Sequence, residues 1–121
     1  AVTAAVSFVS AHPGVRAAIV PRQREEAAKG RGVVAEGRDI GTVVFPRADH
    51  KFFLVASAAE RARRRARELG LPQEVERLRR ALEERDRLDA TRADSPLRKA
   101  QDALEVVTDG SVRPDDAVAY A

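Results

Sequence analysis

Two charged side chains follow a short apolar run in the first half of the chain. The run at residues 33–35 is typical of a strand covered on both faces, and the polar turn EGRD at 36–39 comes directly after it. In open α/β sheets, ligands bind at the carboxyl ends of strands. At that edge Arg38 could hold an anion, and Asp39 could accept hydrogen bonds from an amino group. An ordinary polar loop with an internal ion pair is the alternative.

A second group of charges continues an apolar stripe along a predicted helix. The stripe consists of Val75, Leu78 and Leu82, whose spacing places them on one inward face. The same spacing then reaches Arg85, Asp89 and Arg92. Because an unpaired buried charge is costly, we expect Asp89 to hold both arginines while their guanidinium groups remain available to a phosphate. The alternative is an exposed Arg85–Asp89 pair worth less than about 1 kcal/mol.

Five arginines occur within the seven residues 61–67 of another predicted helix. Arg61, Arg64 and Arg65 share one side of this helix. A solvated face, a nucleic-acid patch and a mobile arm closing over phosphates are the three interpretations. The chain has only four Phe and one Tyr for base stacking, which argues against nucleic acid.

Composition narrows the classes of protein. A length of 121 residues with 44% hydrophobic residues suits one domain with a modest core. The absence of cysteine excludes disulfides and thiolate metal sites, and two histidines leave little for zinc. No apolar run is long enough for a membrane span, and the first residues lack a basic signal-peptide region, so we expect a soluble cytoplasmic protein. Arginine supplies 19 of the 22 basic residues, which is compatible with an anionic partner.

Short apolar strands alternate with helices in the predicted order of elements. Strands are predicted at 33–35, 50–55 and 103–107, and helices at 14–29, 58–69 and 73–88. Pro21 is expected to kink or break the first of these helices. The segment 40–45 is rich in β-formers but ends at a proline, which leaves its state open. The alternation predicts an α/β fold with a parallel sheet. The chain opens and closes in helical patterns, as part of a larger domain would.

Several segments resemble bacterial cytidylate kinase in their order and approximate spacing. They are SFVSAHPGVR at 7–16, EGRDIGTVVFP at 36–46, KFFLVAS at 51–57, ERARRRARELG at 60–70 and ERDRLDATRADSPL at 84–97. The resemblance implies part of a P-loop nucleoside monophosphate kinase core with α/β/α layers and a helical lid. In that division, 1–56 holds part of the core and the CMP-side helices, 57–83 the lid, and 84–121 the return to the core.

The resemblance also implies a reaction and a set of site residues. The family transfers the γ-phosphoryl group of ATP to CMP or dCMP with Mg²⁺, and the full-length enzyme is expected to be a monomer without nucleic-acid or membrane partners. Ser7, Arg16 and Asp39 match positions that contact cytosine. Asp89 matches the sugar-side carboxylate. The arginines expected around the phosphates are Arg38, Arg85 and Arg92, and those of the lid over ATP are Arg61, Arg64 and Arg65. No residue is expected to bind metal directly.

One motif of the family does not occur in this chain. The phosphate-binding loop G-x-x-x-x-G-K-[ST] is absent, and no Gly-Lys pair occurs at all. We therefore interpret the chain as a carboxyl-proximal portion of a cytidylate kinase and expect residues 1–121 alone to transfer no phosphoryl group. The alternative function is a non-catalytic anion- or RNA-binding module that retains half of a kinase fold. A phosphate loop encoded upstream would decide between the two.

Overall fold

The computed structural model describes residues 9–30 and 32–110. They form two compact units, the first from the described residues up to Asp49 with Leu88–Ala100 and the second from His50–Arg87 with the described residues from Gln101 onward. The described residues are α/β with a small parallel sheet, which confirms the predicted fold class. None of the helices in this part of the chain is long and apolar enough to cross a membrane. The division into core, lid and return segments stays a prediction.

In the first unit, helix α1 spans Pro13–Ala28. The His12 side chain caps it, because its Nδ1 atom accepts a hydrogen bond from the Gly14 N–H at 3.2 Å. Pro13 stands in the first turn, where no backbone N–H is needed. Pro21 lies inside the helix without ending it, so the predicted break is wrong.

The segment 40–45 of the same unit forms a helical turn at Ile40–Val44 rather than a strand. Ile40–Val44 is a π-helical turn in which the Phe45 N–H donates to the Ile40 carbonyl at 2.7 Å. Arg24 of α1 secures the turn, because its Nε and Nη2 atoms donate to the carbonyls of Val44 and Val43 at 2.7 and 2.6 Å. These contacts bury Val44 in the core of the unit. The β propensity of the segment is therefore overridden by its packing.

The predicted strand at 33–35 is wrong for the described residues. This segment has no regular secondary structure, and the Val33 and Val34 side chains are exposed. A strand needs a hydrogen-bonded neighbour, and the sheet among the described residues pairs only two other segments. The apolar composition of residues 33–35 predicted a covered strand, but the Val33 and Val34 side chains are not buried.

In the second unit, strands β1 (Phe52–Val55) and β2 (Leu104–Val107) pair in parallel. The register aligns Phe52 with Leu104 and Val55 with Val107. Both strands lie inside the predicted segments 50–55 and 103–107, so those predictions are confirmed. Their apolar and β-branched residues favour strands, and each strand has the other as its hydrogen-bonded neighbour.

Two helices lie between these two strands in the sequence. Helix α2 spans Ala58–Leu69, as predicted, and the Ser57 hydroxyl accepts a hydrogen bond from the Glu60 N–H at its start. Gly70 ends it with φ 67°, a conformation that favours glycine. A 3₁₀ turn at Pro72–Glu74 then leads into helix α3, Val75–Thr91. The predicted helix at 73–88 is thus confirmed with shifted ends. The helical pattern expected at the close of the chain, from Pro114 onward, lies outside the described residues.

Candidate functional site

Arg16, Asp39 and Ser95 meet in the first unit. Arg16 lies near the start of α1, Asp39 precedes the π-helical turn, and Ser95 follows α3. The Arg16 guanidinium forms an ion pair with Asp39 through Nη2, and its Nε donates to the Ser95 hydroxyl at 2.8 Å. Asp39 and Ser95 are 7% and 6% exposed. The cluster is therefore largely removed from solvent, where charge-assisted hydrogen bonds are strongest.

Asp89 is the centre of a second ion-pair cluster in the same unit. Its side chain is only 4% exposed, and it lies 3.2 Å from Arg38 Nε and 3.8 Å from Arg92 Nη1. The Leu97 N–H donates to the Asp89 carbonyl at 2.8 Å, which folds the following loop back onto the end of α3. Two guanidinium groups thus face one carboxylate, an arrangement suited to binding an anion. The Arg38 side chain retains 33% of its exposure and can reach a ligand from solvent.

Ser95 links these two clusters and was not singled out in the sequence. Its hydroxyl accepts from Arg16, while its carbonyl accepts from Arg92 Nε at 2.6 Å. The hydroxyl also donates to Asp94 at 3.1 Å. Ser95 has φ 52°, which is uncommon for a residue other than glycine. The pair Ser95-Pro96 indicates a turn, but no pattern of spacing connects Ser95 with Arg16.

The structure brings together five of the predicted site residues from distant parts of the sequence. Arg16 and Asp39 form one pair, and Arg38 and Arg92 flank Asp89. Arg38 and Asp39 each pair with a residue distant in sequence, which an isolated polar loop would not require. Asp89 pairs with Arg38 as well as with the Arg92 partner expected from the helix stripe.

Arg85 and the three arginines assigned to the lid belong to the second unit. Arg85 is half-buried on α3. Arg61 of α2 forms an ion pair with Asp86 at 2.5 Å and donates to the Ala56 carbonyl at 3.1 Å. These contacts give Arg61 a role in holding α2 within its own unit. Ser7, expected to contact cytosine, lies outside the described residues.

The other two lid arginines differ in their surroundings. Arg64 donates to the backbone carbonyl of Thr108, just after β2, and approaches Glu60 at 3.2 Å. Arg65 is exposed and pairs with Glu68 at 2.8 Å, one turn along the helix. An exposed pair of this kind contributes little to stability and leaves Arg65 easy to redirect towards a ligand.

Helix α3 carries a further set of ion pairs on its solvent-facing side. Hydrogen bonds from Arg79 and Arg80 lower the pKa of Glu76 to about 2, and Arg87 likewise lowers the pKa of Glu84. All of these pairs join residues three or four positions apart. They form a solvated face rather than a site.

Two further features of the described residues bear on ligands. No group of three His, Asp or Glu side chains within the described ranges could hold a metal ion. An open groove of about 440 Å³ lies in the first unit between α1 and the segment 33–45. Ile19, Val33, Ile40 and Phe45 give it an apolar lining, and it does not include the charged clusters around Asp39 and Asp89.

Comparison with known proteins decides the family. The sequence pattern described as cytidylate kinase matches residues 1–114. The chain belongs to the cytidylate kinase family. It is 54% identical over 111 residues to the cytidylate kinase of Geobacillus thermodenitrificans (strain NG80-2), covering 89% of this chain and 49% of the relative. The cytidylate kinase of Listeria monocytogenes serovar 1/2a (strain EGD-e) is 51% identical over 110 residues, covering 88% of this chain and 49% of the relative.

A second kind of relative carries the same region within a longer protein. The bifunctional pantoate ligase/cytidylate kinase of Synechococcus sp. (strain CC9902) is 54% identical over 114 residues, covering 90% of this chain and 23% of the relative. The chain therefore spans about half the length of the cytidylate kinases that it matches and about a quarter of the bifunctional protein. Both kinds of match confirm the resemblance found in the sequence.

Proposed function

We propose that this chain supplies the CMP-binding part of a cytidylate kinase, which transfers the γ-phosphoryl group of ATP to CMP or dCMP. The observation that carries the proposal is the pair of buried clusters joined at Ser95, one around Asp39 and one around Asp89. A nucleoside monophosphate has a polar base at one end and a phosphate at the other. The two clusters offer matching chemistry for these ends, and family membership supports the assignment.

Arg16 and Asp39 are the proposed base-reading pair. Cytosine has an exocyclic amino group that donates hydrogen bonds and ring atoms that accept them. A carboxylate accepts from the amino group, and a guanidinium donates to the ring acceptors. Uracil has a carbonyl at the position of the amino group, so the carboxylate would face a second acceptor. Polar sites of this kind reject analogues more sharply than apolar pockets do.

Arg38 and Arg92 are the proposed phosphate-binding residues of the described cluster, and Arg85 is assigned to the same task. Phosphoryl transfer needs alignment and neutralisation of charge more than covalent chemistry from the protein. Arginines suit this task because each can bridge two oxygen atoms. Asp89 orients Arg38 and Arg92, which keeps their geometry fixed before a substrate arrives. A contact between Asp89 and the sugar stays a prediction from the family.

No geometry is proposed for the lid or for the metal. Arg61, Arg64 and Arg65 are proposed to approach ATP when the lid closes and excludes water. Magnesium is proposed to arrive with ATP as part of the co-substrate, and no residue of this chain is assigned to hold it.

Two measurements test the proposed function. Isothermal titration of the full-length natural protein containing this chain should show binding of CMP in preference to UMP, and chromatography should detect CDP when ATP and magnesium are added. Residues 1–121 alone should form no CDP, because they contain no glycine-rich loop to hold the β- and γ-phosphates.

The outcomes separate the candidate functions. Equal binding of CMP, UMP and inorganic phosphate, with no CDP formed by the full-length protein, would favour the non-catalytic anion-binding module. Binding of a single-stranded RNA probe in preference to CMP would favour the RNA-binding version. CDP formed by residues 1–121 at about 1–100 per second would show that the loop is dispensable.

A further inference from the structure

Ser95 holds an unusual position between the two buried clusters. Its hydroxyl accepts a hydrogen bond from Arg16 Nε at 2.8 Å, and its carbonyl accepts one from Arg92 Nε at 2.6 Å. In the proposed function, Arg16 reads the base and Arg92 binds the phosphate. A single residue thus contacts an arginine at each end of the proposed site.

The hydrogen bonds of the Ser95 hydroxyl fix its orientation. A serine hydroxyl has one proton, and here it points to the Asp94 carboxylate at 3.1 Å. A lone pair is therefore directed towards the Arg16 guanidinium. The Ser95 side chain is buried, so water does not compete for these bonds. The hydroxyl acts as a fixed acceptor.

Arg16 is held at two of its three guanidinium nitrogens. Asp39 engages Nη2 and Ser95 engages Nε, so the plane of the guanidinium is fixed by two partners in different segments. With Asp39 alone, the group could rotate about that one contact. A fixed plane lowers the entropic cost of presenting the remaining nitrogen, Nη1, to a ligand.

The backbone of Ser95 adds a second observation. A non-glycine residue at φ 52° costs free energy, and such residues persist where surrounding contacts determine their conformation. The following residue, Pro96, disfavours helical conformations at Ser95 and narrows its choices further. The two arginine contacts therefore maintain a conformation that the local sequence does not favour.

We infer that Ser95 is a positioning residue for nucleotide selectivity, holding Arg16 in the orientation that distinguishes a cytosine from a uracil nucleotide. This inference rests on the proposed function, in which Arg16 and Asp39 read the base. Ser95 does not touch the substrate and acts through Arg16. Its carbonyl sets the position of Arg92 at the same time, so the base and phosphate ends are aligned by one residue.

The test compares Ser95→Ala and Ser95→Gly in the full-length natural protein. Both variants remove the hydroxyl, but Gly accepts φ 52° freely whereas Ala does not. By isothermal titration, CMP should bind about three- to tenfold more weakly to both, the scale of one ordinary hydrogen bond, because the lost bond orients Arg16 and does not itself contact the nucleotide, with UMP affinity unchanged. KM for CMP should rise similarly, while kcat should change less than about twofold.

Arg98→Ala serves as the matched control, since Arg98 is an exposed residue of the same loop. It should leave CMP and UMP binding at wild-type values. Thermal unfolding should show Ser95→Gly at least as stable as Ser95→Ala, so the glycine variant keeps the test valid if the alanine variant folds poorly.

Three results would overturn the inference. An unchanged ratio of CMP to UMP affinity in both variants, including one produced by equal weakening of both nucleotides, would show that the hydroxyl does not govern selectivity. Loss of selectivity in Ser95→Gly alone would assign the effect to the backbone. A wild-type protein that does not prefer CMP would overturn the proposed function as well, which distinguishes the two failures.

Discussion

The two units use the same residue types, arginine and carboxylate, in different ways. In the first unit, Asp89 is almost fully buried and pairs with Arg38 and Arg92. In the second unit, Glu84 and Arg87 pair at 2.7 Å on the same helix, but both side chains are more than half exposed. The local chemistry is alike. The surroundings differ, because water and counterions screen the exposed pair and cannot reach the buried one.

This difference in burial distinguishes the candidate site from a solvated surface. A buried charged cluster is costly to assemble, and its members depend on each other, since removing one leaves the others unpaired. An exposed pair forms and breaks at little cost. Burial and shared partners indicate the site.

Replacing a carboxylate in each unit should give the largest contrast. Asp89→Ala leaves two arginines without their central acceptor, so we expect a loss of about 3 kcal/mol in the free energy of unfolding. Glu84→Ala, on the same helix, should cause no measurable change. Urea titration of the full-length protein checks both. Equal effects of the two substitutions would mean that burial does not distinguish the clusters.

Arg92 and Arg87, five positions apart in the sequence, provide the next contrast. Arg92→Ala should lower kcat/KM for CMP by about 1.5–3 kcal/mol, or about 10- to 150-fold, because a charged hydrogen bond to substrate is lost. Arg87→Ala removes an exposed arginine and should leave kcat/KM within about twofold of the wild type. Steady-state kinetics at saturating ATP measures both.

A purely structural role of Arg92 would give a different experimental result. Arg92 also donates to the Ser95 carbonyl, so its loss affects packing. If Arg92→Ala lowers the melting temperature sharply while the remaining folded enzyme keeps full activity, Arg92 holds the loop and does not act on phosphate. Arg92→Lys retains the charge but not the forked geometry, and we expect it to recover only part of the activity.

Asp39→Asn should alter selectivity within the first unit. The amide keeps one acceptor but loses the charge that holds Arg16, so we expect the ratio of kcat/KM for CMP over UMP to fall about tenfold. KM for ATP should change much less. Competition kinetics with CMP and UMP is the measurement. An unchanged ratio would remove Asp39 from base recognition.

The smallest effect concerns the exposed face of α3. Arg79 and Arg80 lower the pKa of Glu76 to about 2 from an ordinary value of 4.5. A lowered pKa in the folded protein stabilises it above pH 4.5, and this contribution is lost as the pH falls towards 2. Thermal unfolding across that range should show a slightly smaller decline for Glu76→Gln than for the wild type. High salt should remove the difference, and a difference that persists would contradict the screened-surface interpretation.

Local patterns in the sequence determined most of the second unit. The S-x-x-E cap before α2, Gly70 after it and the apolar runs of β1 and β2 each act within a few residues. The helix spacing also predicted that Asp89 and Arg92 belong together, because residues three or four apart on a helix lie on one face. Family membership followed from several motifs in order, which a single sequence can show.

Tertiary structure alone decided the partners across the first unit. Nothing in the local sequence pairs Arg38 with Asp89 or Arg16 with Ser95, because these contacts depend on how distant segments pack. The conformations of residues 33–35 and 40–45 also depend on contacts with distant segments, so their own sequence does not predict them. Strand formation needs a neighbour, and the π-helical turn depends on Arg24 donating to its carbonyls. Sequence determines what a segment can become, whereas hydrogen-bonding partners elsewhere in the chain determine which of those conformations is stable.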